Sequence, residues 1–275
     1  MKRYPTTLII AGSDSSGGAG IQADIKTCSA LGVYATTAIT AITAQNTQGV
    51  TAIQTATPRM VQQQIEAVLE DFTVDSIKVG MLGNADITRT VADVLKHVDI
   101  PIILDPVMVS TSGHTLLSGD AIEILIEQLL PISEIITPNI AEACLLTQQE
   151  IKSTQEVCFV AQKLLNMGCN SVLIKGGHLS QENATDILAT QQGSTTFSHP
   201  FITTHNTHGT GCTLSTAIAA YRALGKSMTE AVRLAKDYVY NAIASGADVC
   251  AGQGHGPLNH LHNPHALIPI EYQPQ

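Results

Sequence analysis

The stretch Pro101-Ile-Ile-Leu-Asp-Pro106, PIILDP, is apolar at every position between its first proline and its aspartate. A strand with one face in water alternates apolar and polar residues. A run that is apolar on both faces belongs instead to a parallel sheet covered on both sides. Similar runs occur at 8–11, 35–43, 76–79, 134–136 and 171–174, with 101–104 in their midst. Helical periodicity fills the intervals and predicts helices over 19–31, 58–71, 86–97, 118–130 and 155–167. The second shows how the local code works. Thr57 is placed to cap it, Pro58 stands at the first helical position, and Met60/Val61, Ile65, Val68/Leu69 and Phe72 make one apolar stripe. This alternation predicts an α/β fold, doubly wound around a mostly parallel sheet.

The rhythm breaks at 186–203, which reads as a hairpin turning near Gln191–Gly193. Two long helices follow, over 211–224 and 228–245, each stopped by a glycine, Gly225 and Gly246. With no internal repeat and no low-complexity linker, the chain is expected to form one domain over 1–275. Its closing segment from 252, rich in polar residues, proline and histidine, is expected to lie over the surface.

Bulk composition narrows the function. A net charge of −9 with 13% charged residues argues against nucleic acid, whose binding needs clustered Lys and Arg. No apolar run reaches the roughly 20 residues that cross a bilayer, so no membrane partner is expected. The six cysteines (Cys28, Cys144, Cys158, Cys169, Cys212, Cys250) include no C-x-x-C pair, and the N-terminal apolar run is too short for a signal peptide. They read as free thiols in a reducing, cytoplasmic compartment. On so acidic a protein a phosphate has to be held locally, by backbone N–H groups, a metal ion or a single lysine.

Ligands of open α/β sheets sit at the carboxyl ends of the strands. There the chain carries Ser13–Gly20, Gln45-Asn46, Gly80-Met81, Asp105-Pro106, Thr137-Pro138-Asn139 and Lys175-Gly176-Gly177. The glycine-rich AGSDSSGGAGIQAD fits neither G-x-x-x-x-G-K-[ST] nor G-x-G-x-x-G, and is either a plain strand-to-helix turn or a backbone cradle. Asp24, early in the following helix, favours the cradle, since it could hydrogen-bond a polar small molecule there. Asp105 leaves a buried strand and either caps a turn or meets a cation. Asn139 and Glu142, three apart, share a helix face with which Asp105 could hold a hydrated Mg²⁺. Lys175 either meets a phosphate or simply faces solvent.

Asn206-Thr-His-Gly-Thr-Gly-Cys-Thr-Leu-Ser215 carries the strongest signal. Gly209, Thr210 and Gly211 open a helix, so the N–H groups from Gly209 to Cys212 are expected to be free donors for a transferring phosphoryl group. A thiol at a helix N-terminus has a lowered pKa, which predicts thiolate character for Cys212. The alternative is a small buried cysteine. His208 beside it invites a cysteine-hydrolase reading, but no third orienting residue is evident. His255, His260, His262 and His265 follow no metal-ligand spacing.

Eight blocks, IAGSDSSGGAGIQADIKT, AITAQNTQGV, IKVGML, ILDPVM, ITPNIAEA, LIKGGH, NTHGTGCTLS and GHGPLNH, resemble in order the hydroxymethylpyrimidine/phosphomethylpyrimidine kinases of thiamine biosynthesis. The resemblance covers about residues 6–262. It implies a ribokinase-like three-layer α/β/α sandwich, use of ATP and Mg²⁺, and a homodimer. Carried over residue by residue, it implies that Gln45 and Asp24 contact the aminopyrimidine, with Gly12, Met81 and Val107 walling the pocket. Lys175, Asn139 and Asp105 would face ATP, Asp105 and Glu142 would lie near Mg²⁺, and Gly209, Thr210, Gly211 and Cys212 would form the catalytic anion hole. Ribokinase-like sugar kinases end this loop in Gly-Ala-Gly-Asp, the aspartate acting as base. The Gly-Thr-Gly-Cys found here is shared with the pyrimidine kinases. Two alternatives stand beside this expectation: a pyridoxal/pyridoxine kinase, and a ligand-binding relative without catalysis.

Overall fold

The structure, a computed structural model, describes residues 1–108, 116–176 and 183–272. The chain opens with β1 (Lys2–Arg3), β2 (Thr6–Asp14), α1 (Gly20–Ala30), β3 (Tyr34–Asn46) and β4 (Gly49–Thr55). It continues through α2 (Pro58–Asp71), β5 (Ser76–Val79), α3 (Ala85–Leu95), β6 (Ile102–Leu104), α4 (Gly119–Ile124), β7 (Ile135–Ile136) and α5 (Ile140–Thr147). Then come α6 (Thr154–Asn166), β8 (Ser171–Lys175), β9 (Asn183–Thr190), β10 (Gly193–Pro200), α7 (Thr210–Ala223), α8 (Met228–Gly246) and β11 (Ile270–Glu271).

Nine strands form one sheet in the order β10-β9-β8-β7-β6-β5-β2-β3-β4. Pairing is parallel from β3 through β8 and antiparallel at both ends. Alternation along the central strands divides the core. Leu8 and Ile10 of β2 face one way, into a cluster completed by α2 to α6; Ile9 and Ala11 face the other, against α1, α7 and α8. This is the expected three-layer sandwich. Each fully buried Leu or Ile contributes about 1.5–3 kcal/mol of transfer free energy, so two dry layers suffice to set the register. Among the described residues no helix is long and apolar enough to cross a membrane.

Several predicted boundaries shift. The second strand continues through Asn46 and turns back into β4, so Gln45 and Asn46 lie on the strand rather than after it. Most of β4 is exposed, and so it carries no apolar signature. The helix predicted over 118–130 is α4 followed by a wide turn over Leu125–Leu129 and a 3₁₀ turn over Leu130–Ile132. Pro131, which lacks an N–H, ends it. The hairpin turns as expected, with Gly193 of β10 opposite Thr190 of β9. Gly177 lies outside the described residues.

The closing segment lies over the surface but is anchored at three points. Most of its described residues are exposed, as expected, but Gly256, Leu258 and His260 are buried. The Asn206 side chain donates to the carbonyls of Gly246 and Val249 at the end of α8, and the Tyr238 hydroxyl donates to the carbonyl of His260 at 2.6 Å. Polar sequence concealed a strap whose few apolar and hydrogen-bonding groups face inward.

Candidate active site

The carboxyl ends of β2, β3, β5, β6, β7 and β8 converge on the N-terminus of α7. Gly209 starts that helix with φ +87°, in the left-handed region, and a Cβ there would overlap the backbone of Gly18. The two glycine-rich turns therefore pack against each other and need glycine to do so. The N–H groups of Gly211 and Cys212 lie in the first helical turn, where no intrahelical acceptor exists. Thr210 differs from the expectation: its N–H donates to the Thr207 carbonyl at 3.2 Å.

Opposite this helix start stands Lys175. Its ammonium is 3.1 Å from Asp105 Oδ1 and 3.9 Å from Glu142 Oε2. A Cβ on Gly211 would lie 3.3 Å from Lys175 Nζ and 3.9 Å from Asp105 Oδ2, so lysine, carboxylate and helix start share one small volume. Asp105 also accepts from Thr137 Oγ1 at 3.1 Å and Ser215 Oγ at 3.2 Å. Burial alone would raise its pKa, but Lys175, then Lys78, and these hydrogen bonds hold it below the usual carboxylate range. Burial raises Glu142 in spite of Lys175.

Two residues of the expected metal set, Asp105 and Glu142, lie on either side of the Lys175 ammonium. Asn139 and Glu142 form a reciprocal capping box at the start of α5. The space between Asp105 and Glu142 is taken by an ammonium. Among the described residues no group of three or more His, Cys, Asp or Glu side chains could hold a metal ion.

Asp24 also departs from its expectation. It is wholly buried. One carboxylate oxygen accepts from Lys78 Nζ at 2.7 Å, the other from Thr216 Oγ1 at 2.6 Å. Both members of the Lys78–Asp24 pair have no exposed side-chain surface. Lys78 lies beneath Gly80, where a Cβ would be 2.8 Å from its Nζ. Burial opposes its charge, but Asp24, followed by Cys212 and Asp105, outweighs that and raises its pKa.

Cys212 overturns the expected thiolate. Burial, with Asp24 and Asp105 adding to it, pushes its thiol up to about 11 against the pull of Lys78 and a hydrogen bond from the backbone of Gly20. At neutral pH the group is a thiol. The helix N-terminus is present, but desolvation and two carboxylates win.

On the other side of the site Gly12 abuts Met81, whose Sδ would be 2.6 Å from a Cβ at Gly12. Val107 follows with its N–H donating to the Asp105 carbonyl. Gln45 reaches the same rim: its amide is 3.2 Å from Thr43 Oγ1 and 3.4 Å from His208 Nε2. His208 does not pair with Cys212. Its Nε2 is 2.8 Å from Asp14 Oδ2, which removes the hydrolase reading. Lys78, Asp14, Thr43, Ser215 and Thr216 stand among these groups without having been given a role from the sequence. Lys78 left one trace, a charge inside the otherwise uncharged run Ser76-Ile-Lys-Val79.

Residues 14–259 match the phosphomethylpyrimidine kinase family. A hydroxymethylpyrimidine/phosphomethylpyrimidine kinase of Rhizobium meliloti (strain 1021) is 48% identical over 258 residues, 93% of this chain and 96% of the relative. The crystal structure of a phosphomethylpyrimidine kinase from Clostridium difficile 630 superposes with a TM-score of 0.78 at 45% identity, covering 86% of this chain and 99% of that one. Staphylococcus aureus pyridoxal kinase in complex with AMP-PCP and pyridoxal gives a TM-score of 0.85 at 30% identity, covering 94% and 95%. The family match runs from the first glycine-rich turn into the closing segment, and the chain belongs to the phosphomethylpyrimidine kinase family.

Proposed function

We infer that this chain phosphorylates 4-amino-5-hydroxymethyl-2-methylpyrimidine with ATP, and then phosphorylates the resulting monophosphate to the diphosphate. The observation that carries the reading is the meeting of Lys175 and Asp105 with the first turn of α7, while His208, just before that turn, lies 3.4 Å from the Gln45 amide. Gln45 offers a donor and an acceptor to an amino-substituted ring. Gly12, Met81 and Val107 supply its apolar wall. The relatives bring support: one is a kinase of this pyrimidine and its phosphate, and another was solved with an ATP analogue.

Phosphoryl transfer gathers negative charge on the equatorial oxygens, and aligned donors stabilise it. The N–H groups of Gly211 and Cys212 and the ammonium of Lys175 do this from opposite sides. Two carboxylates around one ammonium leave a surplus of negative charge where phosphates must enter. A cation fits that imbalance: Asp105 and Glu142 would hold Mg²⁺, which would supply charge neutralisation for the phosphate oxygens. Cys212, neutral and at the helix start, positions the hydroxymethyl group instead of deprotonating it. A loose transition state asks for little proton removal early on.

Pyridoxine phosphorylation is the second reading, favoured by the 30% identity to a kinase solved with pyridoxal. Purified protein with ATP and Mg²⁺ should convert the hydroxymethylpyrimidine to mono- and then diphosphate, read by phosphorus NMR. Its kcat/KM should exceed that for pyridoxine. A ratio in favour of pyridoxine overturns the first reading, and no turnover of either compound supports a non-catalytic binding protein.

A further inference from the structure

Asp14, at the end of β2, is an anion that the fold has surrounded with donors. Oδ1 accepts from Ser16 N at 2.8 Å and Ser16 Oγ at 2.7 Å, and Oδ2 accepts from Gly18 N at 3.2 Å and Ala19 N at 2.8 Å. Burial raises its pKa, yet the hydrogen bonds of His208, Ser16 and the backbone outweigh burial and hold it at about 2. At neutral pH it can only accept. The remaining contact, His208 Nε2 at 2.8 Å, must therefore bring a proton. An imidazole nitrogen that donates has no lone pair to offer, whether the ring is neutral or charged.

The terminal amide of Gln45 lies 3.4 Å from that same nitrogen. Two N–H groups cannot face each other, so the end of the amide turned to His208 has to be its carbonyl oxygen. Rotating the amide by half a turn achieves this at no steric cost, because its two ends are the same size. The NH₂ end then meets Thr43 Oγ1, which passes its own proton to the Ser13 carbonyl at 2.9 Å and is left free to accept. In this arrangement no two donors face each other along Asp14, His208, Gln45, Thr43 and Ser13, with the single Nε2–H given to Asp14 at 2.8 Å and shared weakly with Gln45 at 3.4 Å. The Gln45 backbone is fixed too, since its N–H and carbonyl both bond Ser15 Oγ, at 2.8 and 2.7 Å.

We propose that Asp14, His208 and Thr43 are positioning residues that set which way round the Gln45 amide faces the substrate, and so select the 4-amino pyrimidine edge. The inference rests on the proposed function. The ring edge of the substrate presents an amino donor beside a ring-nitrogen acceptor. A fixed amide presents an acceptor beside a donor and matches this edge in one orientation only. The 4-oxo counterpart, with a carbonyl at C4 and a proton on N3, presents the inverse pattern and demands the flipped amide. A freely rotating Gln45 would accept both.

The amino-to-oxo preference is thus a direct readout of amide orientation. It is measured as the ratio of kcat/KM for 4-amino-5-hydroxymethyl-2-methylpyrimidine and its 4-oxo counterpart, with ATP and Mg²⁺, in wild type, His208→Phe and Thr43→Val. The wild-type ratio should strongly favour the amino compound. His208→Phe should lower it about tenfold, the worth of one unsatisfied buried polar contact, and Thr43→Val, which changes one hydroxyl and folds more safely, about threefold. Both should act mainly through KM, with kcat little changed. A ratio unchanged in both variants, whatever happens to KM, overturns the proposal and leaves a purely structural role. Wild-type protein that accepts neither pyrimidine overturns the proposed function first, and this inference with it.

Discussion

Two lysines reach the site from parallel strands, each paired with an aspartate, and they differ in one respect. Lys78 of β5 and Asp24 are sealed, with no exposed side-chain surface on either partner. Lys175 of β8 keeps 16% of its side chain exposed while its partner Asp105 keeps 2%, at a longer 3.1 Å. The sealed pair has every donor direction committed to the interior and can act on a ligand only by its field. The open pair has an ammonium that can leave one carboxylate to meet a phosphate. On the proposed function, burial thus separates a lysine that holds the architecture from a lysine placed to meet a phosphate.

The sharpest way to break this comparison is to remove each ammonium. Lys78→Met strands the Asp24 carboxylate in the core, which should cost about 3–5 kcal/mol in urea denaturation. Adding Asp24→Leu to it should recover most of that loss, because an apolar pair leaves no orphaned charge. A loss below about 1 kcal/mol for the single variant would mean that the sealed pair is idle.

Lys175→Met should do the reverse. Asp105 keeps its bonds from Thr137 and Ser215 and the field of Lys78, so the loss of stability should be smaller than for Lys78→Met. The kcat/KM should fall about 10²–10³-fold, the effect of losing one oriented donor to transition-state charge. If Lys175→Met lost more stability than activity, the two lysines would not differ in kind.

A buried base without a counter-charge tests the same rule from the other side. His260 sits under α7, with Nε2 3.0 Å from Thr213 Oγ1, and no carboxylate pairs with it among the described residues. Burial, with Lys26 adding to it, lowers its pKa from 6.5 to about 4. The folded state therefore resists protonation that the unfolded chain accepts. The stabilisation is fully present above pH 6.5 and is lost as pH falls from 6.5 toward about 4, amounting to at most about 3 kcal/mol. Denaturation midpoints measured across that window should slope downward with acid, and His260→Gln should flatten the slope. The Asp14 contribution falls in a separate window, between about 4 and about 2, because its folded pKa is depressed.

The layer order was legible because it rests on periodicity. Runs such as Ile102–Leu104 can only be covered on both faces, and Leu8/Ile10 against Ile9/Ala11 divide the two cores. Gly209, Gly211, Lys175 and Asp105 were legible for a related reason, since strand ends and helix starts are where local sequence and site coincide. What stayed hidden depends on contacts between residues far apart in the chain. Asp24 looks like a ligand contact until Lys78, 54 residues away, is seen to take it. His208 looks like a partner for Cys212 until Asp14, 194 residues away, is seen to hold it. The anchors of the closing segment stayed hidden because composition describes its exposed positions and not Leu258 and His260.

Cys212 sharpens the comparison last, since it lies within the field of both pairs. Helix-start reasoning lowers its pKa, and Lys78 pulls the same way, yet desolvation with Asp24 and Asp105 pushes the thiol up to about 11. If that balance is right, iodoacetamide at pH 8 should alkylate Cys212 about 100-fold more slowly than an ordinary thiol near 9, the ratio of their thiolate fractions. The exposed Cys158 and Cys250 serve as internal references, resolved by peptide mass spectrometry. Cys212→Ser keeps a neutral group of similar shape, so its kcat should fall by less than about tenfold, or about 1.4 kcal/mol. A thiolate base would instead cost about 10²–10⁴-fold and would add an acid limb to the pH–kcat profile that serine removes. Slow alkylation together with a small serine effect is the signature of a positioned thiol, and fast alkylation with a large effect would return Cys212 to the role of base.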